Sequence, residues 1–159
     1  MSGISINDQR RNTAFFSLPY HSGGKTAISR CVDADSFNSL ADIDQSNTIV
    51  VVNPGGTNQK FVEANIQSAT VRVHPDNRTI FQELVEHRAD VMITDLIEVR
   101  LQAGKNPSLC PVLGKKTFTQ TAKGFLLPQD DIWKAYVDSW ILKQDTQNFI
   151  AERFSVHVP

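Results

Sequence analysis

The stretch Thr48-Ile49-Val50-Val51-Val52-Asn53-Pro54-Gly55-Gly56-Thr57 decides the fold. A run of β-branched residues that stops at Asn-Pro-Gly-Gly reads as a buried strand ending in a glycine turn. A helix follows it, because Phe61, Val62 and Ile66 recur at helical spacing. Residues 69–73 (ATVRV) alternate and read as a second strand. His74-Pro75-Asp76-Asn77 interrupts that strand and is expected to cap a second helix, which carries Ile80, Phe81, Leu84 and Val85 on one face. Residues 90–94 (DVMIT) form a third strand with Asp95 at its end, and a further helix runs through Ile97 and Leu101. The succession βαβαβ implies an α/β fold: a parallel-type sheet with right-handed crossovers and helices on its faces.

Upstream, residues 25–31 (KTAISRC) read as a strand and 36–43 as a short helix. Downstream, 108–113 and 124–127 (GFLL) read as strands. Beyond Pro128, the residues Ile132, Trp133, Tyr136, Val137, Trp140 and Ile141 give a wide apolar helical stripe, with Asp130 and Asp131 at the positive end of its dipole. A last helix over 146–154 presents Phe149, Ile150 and Phe154.

Composition narrows the function classes. The 159 residues suit one compact domain. With 16 Lys and Arg against 17 Asp and Glu, the net charge of -1 and the lack of a basic cluster argue against nucleic-acid binding. The longest strongly apolar run, residues 49–52, is far shorter than the roughly 20 residues that span a bilayer, so no membrane contact is expected. The opening MSGISINDQRR has no pattern of a secretion signal, which leads to a cytoplasmic expectation. Four scattered histidines and the distant Cys31 and Cys110 give no metal-ligand spacing, and no cofactor motif is present. The two cysteines are either buried thiols or a disulfide.

Several motifs carry possible chemistry. Gly23-Gly24-Lys25-Thr26 resembles the end of a phosphate-binding loop, but that loop needs a glycine where Pro19 stands, and Lys25 precedes a strand where a helix should open. The glycines before Thr57 are either a turn requirement or a place where backbone N–H groups meet a small anion at a helix start. Asp95 lies on the sheet edge where open parallel sheets bind ligands, although an aspartate there, taken alone, is more often a helix N-cap than a ligand contact. Ser5 and Arg10 offer a hydroxyl and a guanidinium that can hold a carboxylate, or they are solvated surface groups. His74 reads as structural or as an acid-base group. No nucleophile pairs with a base.

Longer segments go beyond spacing. SGISIN with its following arginine, GKT, VNPGGTNQKFVEAN, VHPDN.TIFQELVE..ADVMITD.IEVR, Leu109-Cys110 and LLP followed by YVDSW resemble the cyclohexadienyl dehydratases, within the type II periplasmic solute-binding proteins of the amino-acid-binding class. The resemblance implies two α/β lobes around a ligand cleft and, for the dehydratases, cofactor-free loss of water and carbon dioxide from prephenate or arogenate. It also implies an N-terminally truncated member, with Met1 at a position internal to the family. A first-lobe remnant would span 1–21, a complete second lobe 22–125, and first-lobe C-terminal helices 126–159. The family's ligand contacts map to Ser5 and Arg10 and to the Gly56-Thr57 backbone, with Asp95 matching the aspartate that meets a ligand amino group. Where the dehydratases have glutamate, this chain has Gln59, and an amide cannot donate a proton to a leaving hydroxyl as a carboxylic acid can. Since the resemblance places the cysteines in a periplasmic ancestor, Cys31 and Cys110 are expected within the roughly 7 Å Cα limit for pairing.

Three functions follow as expectations. In the first, the chain is a non-catalytic remnant with a small carboxylate or amino-acid-like ligand, forming a homo-oligomer through Trp133, Tyr136, Trp140, Phe149 and Phe154. In the second, it is a dehydratase whose cleft is rebuilt in an oligomer, and a transport-type binding protein is a third reading.

Overall fold

A computed structural model describes residues 3–155. Met1 and Ser2, which belong to the family-like opening, lie outside the described residues. The elements run β1 (Ile4–Ser5), α1 (Asp8–Arg11), β2 (Phe15–Phe16), β3 (His21–Gly23) and β4 (Lys25–Arg30), then a 3-10 turn (Ala34–Ser36) and α2 (Leu40–Ile43). Next come β5 (Ile49–Val52), α3 (Thr57–Asn65), β6 (Thr70–Val73), α4 (Ile80–Val85), β7 (Val91–Asp95) and α5 (Leu96–Lys105). The chain closes with β8 (Leu109–Pro111), β9 (Thr121–Gly124), β10 (Leu126–Leu127), α6 (Asp131–Ile141) and α7 (Gln144–Ser155). It divides into two compact units, Lys25–Thr119 and the combined segments Met1–Gly24 and Gln120–Pro159.

The unit Lys25–Thr119 is a five-stranded sheet ordered β6-β5-β7-β4-β8. β5 is parallel to both β6 and β7, as the βαβαβ reading requires. The sheet as a whole is mixed, which corrects the parallel-type expectation: β4 runs antiparallel to β7, and β8 antiparallel to β4. β4 enters from the end where β7 leaves, so Lys25 pairs in register with Asp95. Val50, Val52, Val91, Ile93 and Ala27 pack on one face with Val62 of α3 and Ile66 just after it. Val51, Met92 and Ile28 pack on the other with Ile80, Phe81 and Leu84 of α4 and Val99 of α5. A strand covered on both faces has no polar side, which is why residues 49–52 form an unbroken apolar run. β6, at the sheet edge, is exposed along its length.

One local signal differs from expectation. Asp76 does not cap α4. Its Oδ1 accepts the Arg78 N–H at 2.9 Å in a tight turn, and the N-cap is Thr79, which makes no side-chain capping bond. The loop before β6 is held by Asp44, whose Oδ1 accepts the N–H groups of Ala69, Ser68 and Gln67 at 2.8, 2.6 and 2.9 Å. Those bonds, led by Ala69, lower the carboxyl's pKa. Cys31 and Cys110 form a disulfide, with Cα atoms 4.7 Å apart at a sequence separation of 79.

In the other unit, β9 lies between β1 and β3, and β10 pairs with β2. The expected single strand over 124–127 is therefore two. Gly124 ends β9, and Phe125 turns its ring to within 4.8 Å of the Tyr20 ring. The pairing of His21–Gly23 with Thr121–Gly124 holds these two segments together within this unit. Asp130 caps α6 by accepting the Trp133 N–H at 2.9 Å. Val137, Ile141 and Leu127 form a small core with Phe15, Tyr20 and Phe125.

Candidate functional site

Two polar clusters contain the residues singled out from sequence. The first sits where β5 and β7 end and β4 begins. Gly55 takes φ +75°, a left-handed conformation natural to glycine, and Gly56 is the N-cap of α3. The turn is held by Gln59, whose Oε1 accepts the Gly55 N–H at 2.5 Å while its Nε2 donates to Glu63 at 2.7 Å.

Lys25 organises this cluster. It is 5% exposed, and its Nζ donates to Thr57 Oγ1 at 2.9 Å, to Asp95 Oδ1 at 2.7 Å and to Asn58 Oδ1. Asn58 is fixed in turn by donating to Asn53 Oδ1 at 2.9 Å and Thr94 Oγ1 at 3.0 Å, and Thr94 donates to Glu98. Thr57 and Asp95 are thus joined through one ammonium. Asp95 occupies the N-cap position of α5, but its side chain makes no capping bond there; it serves the ion pair instead. With the ammonium buried and the carboxylate partly so, this pair is costly to break from one side, because the remaining charge loses its partner. With backbone N–H groups at the start of α3 and a fixed cation, the cluster can receive an anionic or carbonyl oxygen.

The second cluster belongs to the other unit. Asn7 caps α1 by accepting the Arg10 N–H at 2.9 Å, and an Arg10 guanidinium nitrogen donates to the Ser5 backbone carbonyl at 2.9 Å. Ser5 is buried, and its Oγ accepts from Lys123 Nζ at 2.8 Å. Ser5 and Arg10 do come together, through the Ser5 carbonyl, and the buried Lys123 bonds the Ser5 hydroxyl. His74 is bound to Thr79 at 2.8 Å and lies 3.8 Å from the buried Glu83, in keeping with its structural reading. Among the described residues, no group of three or more His, Cys, Asp and Glu could hold a metal, and no helix is long and apolar enough to cross a membrane.

Sequence reasoning missed Lys25, Asn58 and Lys123 as site residues. Lys25 was visible as the odd member of a failed phosphate loop. Its partner Asp95 depends on antiparallel register across 70 residues of sequence, which spacing does not reveal.

Fold and clusters together define a protein of the type II periplasmic binding-protein fold. An ancestral amino-acid-binding protein described as a precursor of cyclohexadienyl dehydratase superposes with a TM-score of 0.82 at 26% identity, covering 96% of this chain and 65% of that one. A substrate-binding protein of an amino-acid ABC transporter from Streptococcus pneumoniae, bound to L-arginine, shares the fold with a TM-score of 0.84 at 18% identity, covering 99% of this chain and 68% of that one. More particularly, the chain is similar to cyclohexadienyl dehydratase from Pseudomonas aeruginosa, with 46% identity over 153 residues, 96% of this chain. It spans 57% of that relative's length. No protein-family model matches the chain.

Proposed function

We propose that the chain acts as a solute-binding-protein-type module that holds a small carboxylate ligand without converting it. The observation that carries this reading is the cluster at the start of α3, where Thr57 and Asp95 share the buried Lys25 ammonium beside the Gly55-Gly56 turn. Ser5 and Arg10 supply a second set of carboxylate-type contacts in the other unit. The unit Lys25–Thr119 corresponds on this reading to the second lobe of the binding-protein fold, and the other unit to part of the first. Gln59 supports binding without turnover, since its amide has no acidic proton and is occupied with the Gly55 N–H and Glu63.

Self-association belongs to the same proposal. Trp133, Tyr136, Trp140 and Phe149 are 46, 63, 40 and 52% exposed, and the tryptophans and Tyr136 line an apolar hollow of about 430 Å3 with Phe125 and Leu127. A contiguous aromatic face favours a partner, and a second copy is the one proposed here. Phe154 contributes less than its sequence position suggests, because its ring stacks on His21 at 4.3 Å. The Cys31–Cys110 bridge supports an oxidising compartment, the periplasm of solute-binding proteins, in place of the cytoplasm expected from the opening residues.

A second reading is favoured by the 46% identity to cyclohexadienyl dehydratase: turnover of prephenate or arogenate in an oligomer. The deciding experiment follows phenylpyruvate formation from prephenate against a spontaneous-decay control. The binding reading expects no protein-dependent rate. A rate that scales with protein, and that Arg10→Ala abolishes, would establish the enzyme instead.

A further inference from the structure

We propose that Lys25 sets ligand choice at the first cluster: its ammonium takes the place beside Asp95 that a ligand's α-ammonium would occupy, so the site prefers carboxylates lacking an amino group to the corresponding amino acids. The inference deepens the carboxylate-binding reading and rests on it.

Three features support the assignment. Lys25 is not a mobile surface counter-ion, since it is 5% exposed and held by Thr57, Asn58 and Asp95 at once. Its position is dictated by the backbone: Lys25 opens β4 directly opposite Asp95 at the end of β7, on an antiparallel ladder that places paired side chains on the same face. Its main partners are themselves fixed, Asn58 by Asn53 and Thr94, and Thr57 by its place in the first turn of α3. A ligand ammonium approaching Asp95 therefore either breaks this set of bonds or comes to rest next to a like charge away from bulk water, where charges interact several times more strongly than in solvent. The Thr57 hydroxyl points the same way: its oxygen accepts from Lys25, which directs its own O–H toward an acceptor such as a ligand carbonyl or carboxylate oxygen. An α-amino acid offers a second donor set to a place already furnished with one, while a 2-oxo acid offers acceptors.

The test is calorimetric titration of the purified chain with phenylpyruvate and with L-phenylalanine, which share a skeleton and differ at C2. Phenylpyruvate is expected to bind at least about tenfold more tightly, in line with the cost of juxtaposing like charges. In Lys25→Gln, with its fold checked by thermal melting, the preference is expected to shrink by about tenfold or reverse, because the like charge of the Lys25 ammonium beside a ligand cation is then gone. Equal or tighter binding of L-phenylalanine by the unaltered chain overturns the inference and leaves the carboxylate reading standing. A preference that survives in folded Lys25→Gln also overturns it, since the selectivity then has another source. Failure of both acids to bind at millimolar concentration overturns the carboxylate reading and the inference with it. Should Lys25→Gln not fold, the preference of the unaltered chain decides alone.

Discussion

At the scale of single residues, the molecule places unusual demands on a few side chains. His87 follows α4 with φ 57°, a left-handed conformation that costs a residue with a Cβ roughly 1 kcal/mol relative to glycine. His87→Gly is expected to stabilise the chain by up to about 1 kcal/mol in urea unfolding, with part of the gain offset by the freer unfolded chain. Glu83 is buried and accepts two bonds from Arg88, at 2.8 and 2.6 Å, with His74 and Arg72 each 3.8 Å away. The Arg88 hydrogen bonds, ahead of the opposing desolvation, lower the Glu83 pKa. A carboxyl with a folded pKa below its unfolded one stabilises the fold above the unfolded value, and that contribution is lost as pH falls through the folded one. Glu83→Gln should therefore lower the melting temperature at neutral pH and flatten the decline of stability on acidification. An acid limb unchanged from the wild type would show that Glu83 does not contribute it.

At the scale of elements, the sequence was most legible where geometry is local. Residues 49–52, the glycine turn and α3 could be read directly because a both-faces-buried strand and a helical stripe each leave their own period. The direction of β4 could not, since nothing in KTAISR distinguishes a parallel from an antiparallel partner, and that direction is what delivers Lys25 to Asp95. The short strands β2 and β3 were equally hidden, because two or three residues carry no period. Asp95 was found through its place at a strand end, while its ion pair with Lys25 was not. The disulfide links the residue after β4 to the middle of β8 across 79 residues. Replacing both cysteines with serine should cost about 2–4 kcal/mol in denaturant unfolding. A loss below about 1 kcal/mol would mean that the β4 and β8 pairing holds this edge without the bridge.

At the scale of the whole molecule, two small cores are unequally finished. The unit Lys25–Thr119 covers both faces of its sheet, whereas α6 buries Val137 and Ile141 but leaves three aromatic rings exposed. Light scattering is expected to give a mass above that of the 17.7 kDa chain at high micromolar concentration, falling toward the monomer in Trp133→Ser/Tyr136→Ser. A monomer at all concentrations would remove self-association from the proposal. The central claim, that Gly55, Gly56, Thr57 and Asp95 with Lys25 receive a carboxylate, is tested most directly by following backbone amide resonances of the isotope-labelled chain during titration with phenylpyruvate. The account predicts the largest saturable shifts at Gly55 to Asn58 and at Asp95; saturable shifts confined to other segments, with these amides unmoved, would contradict it.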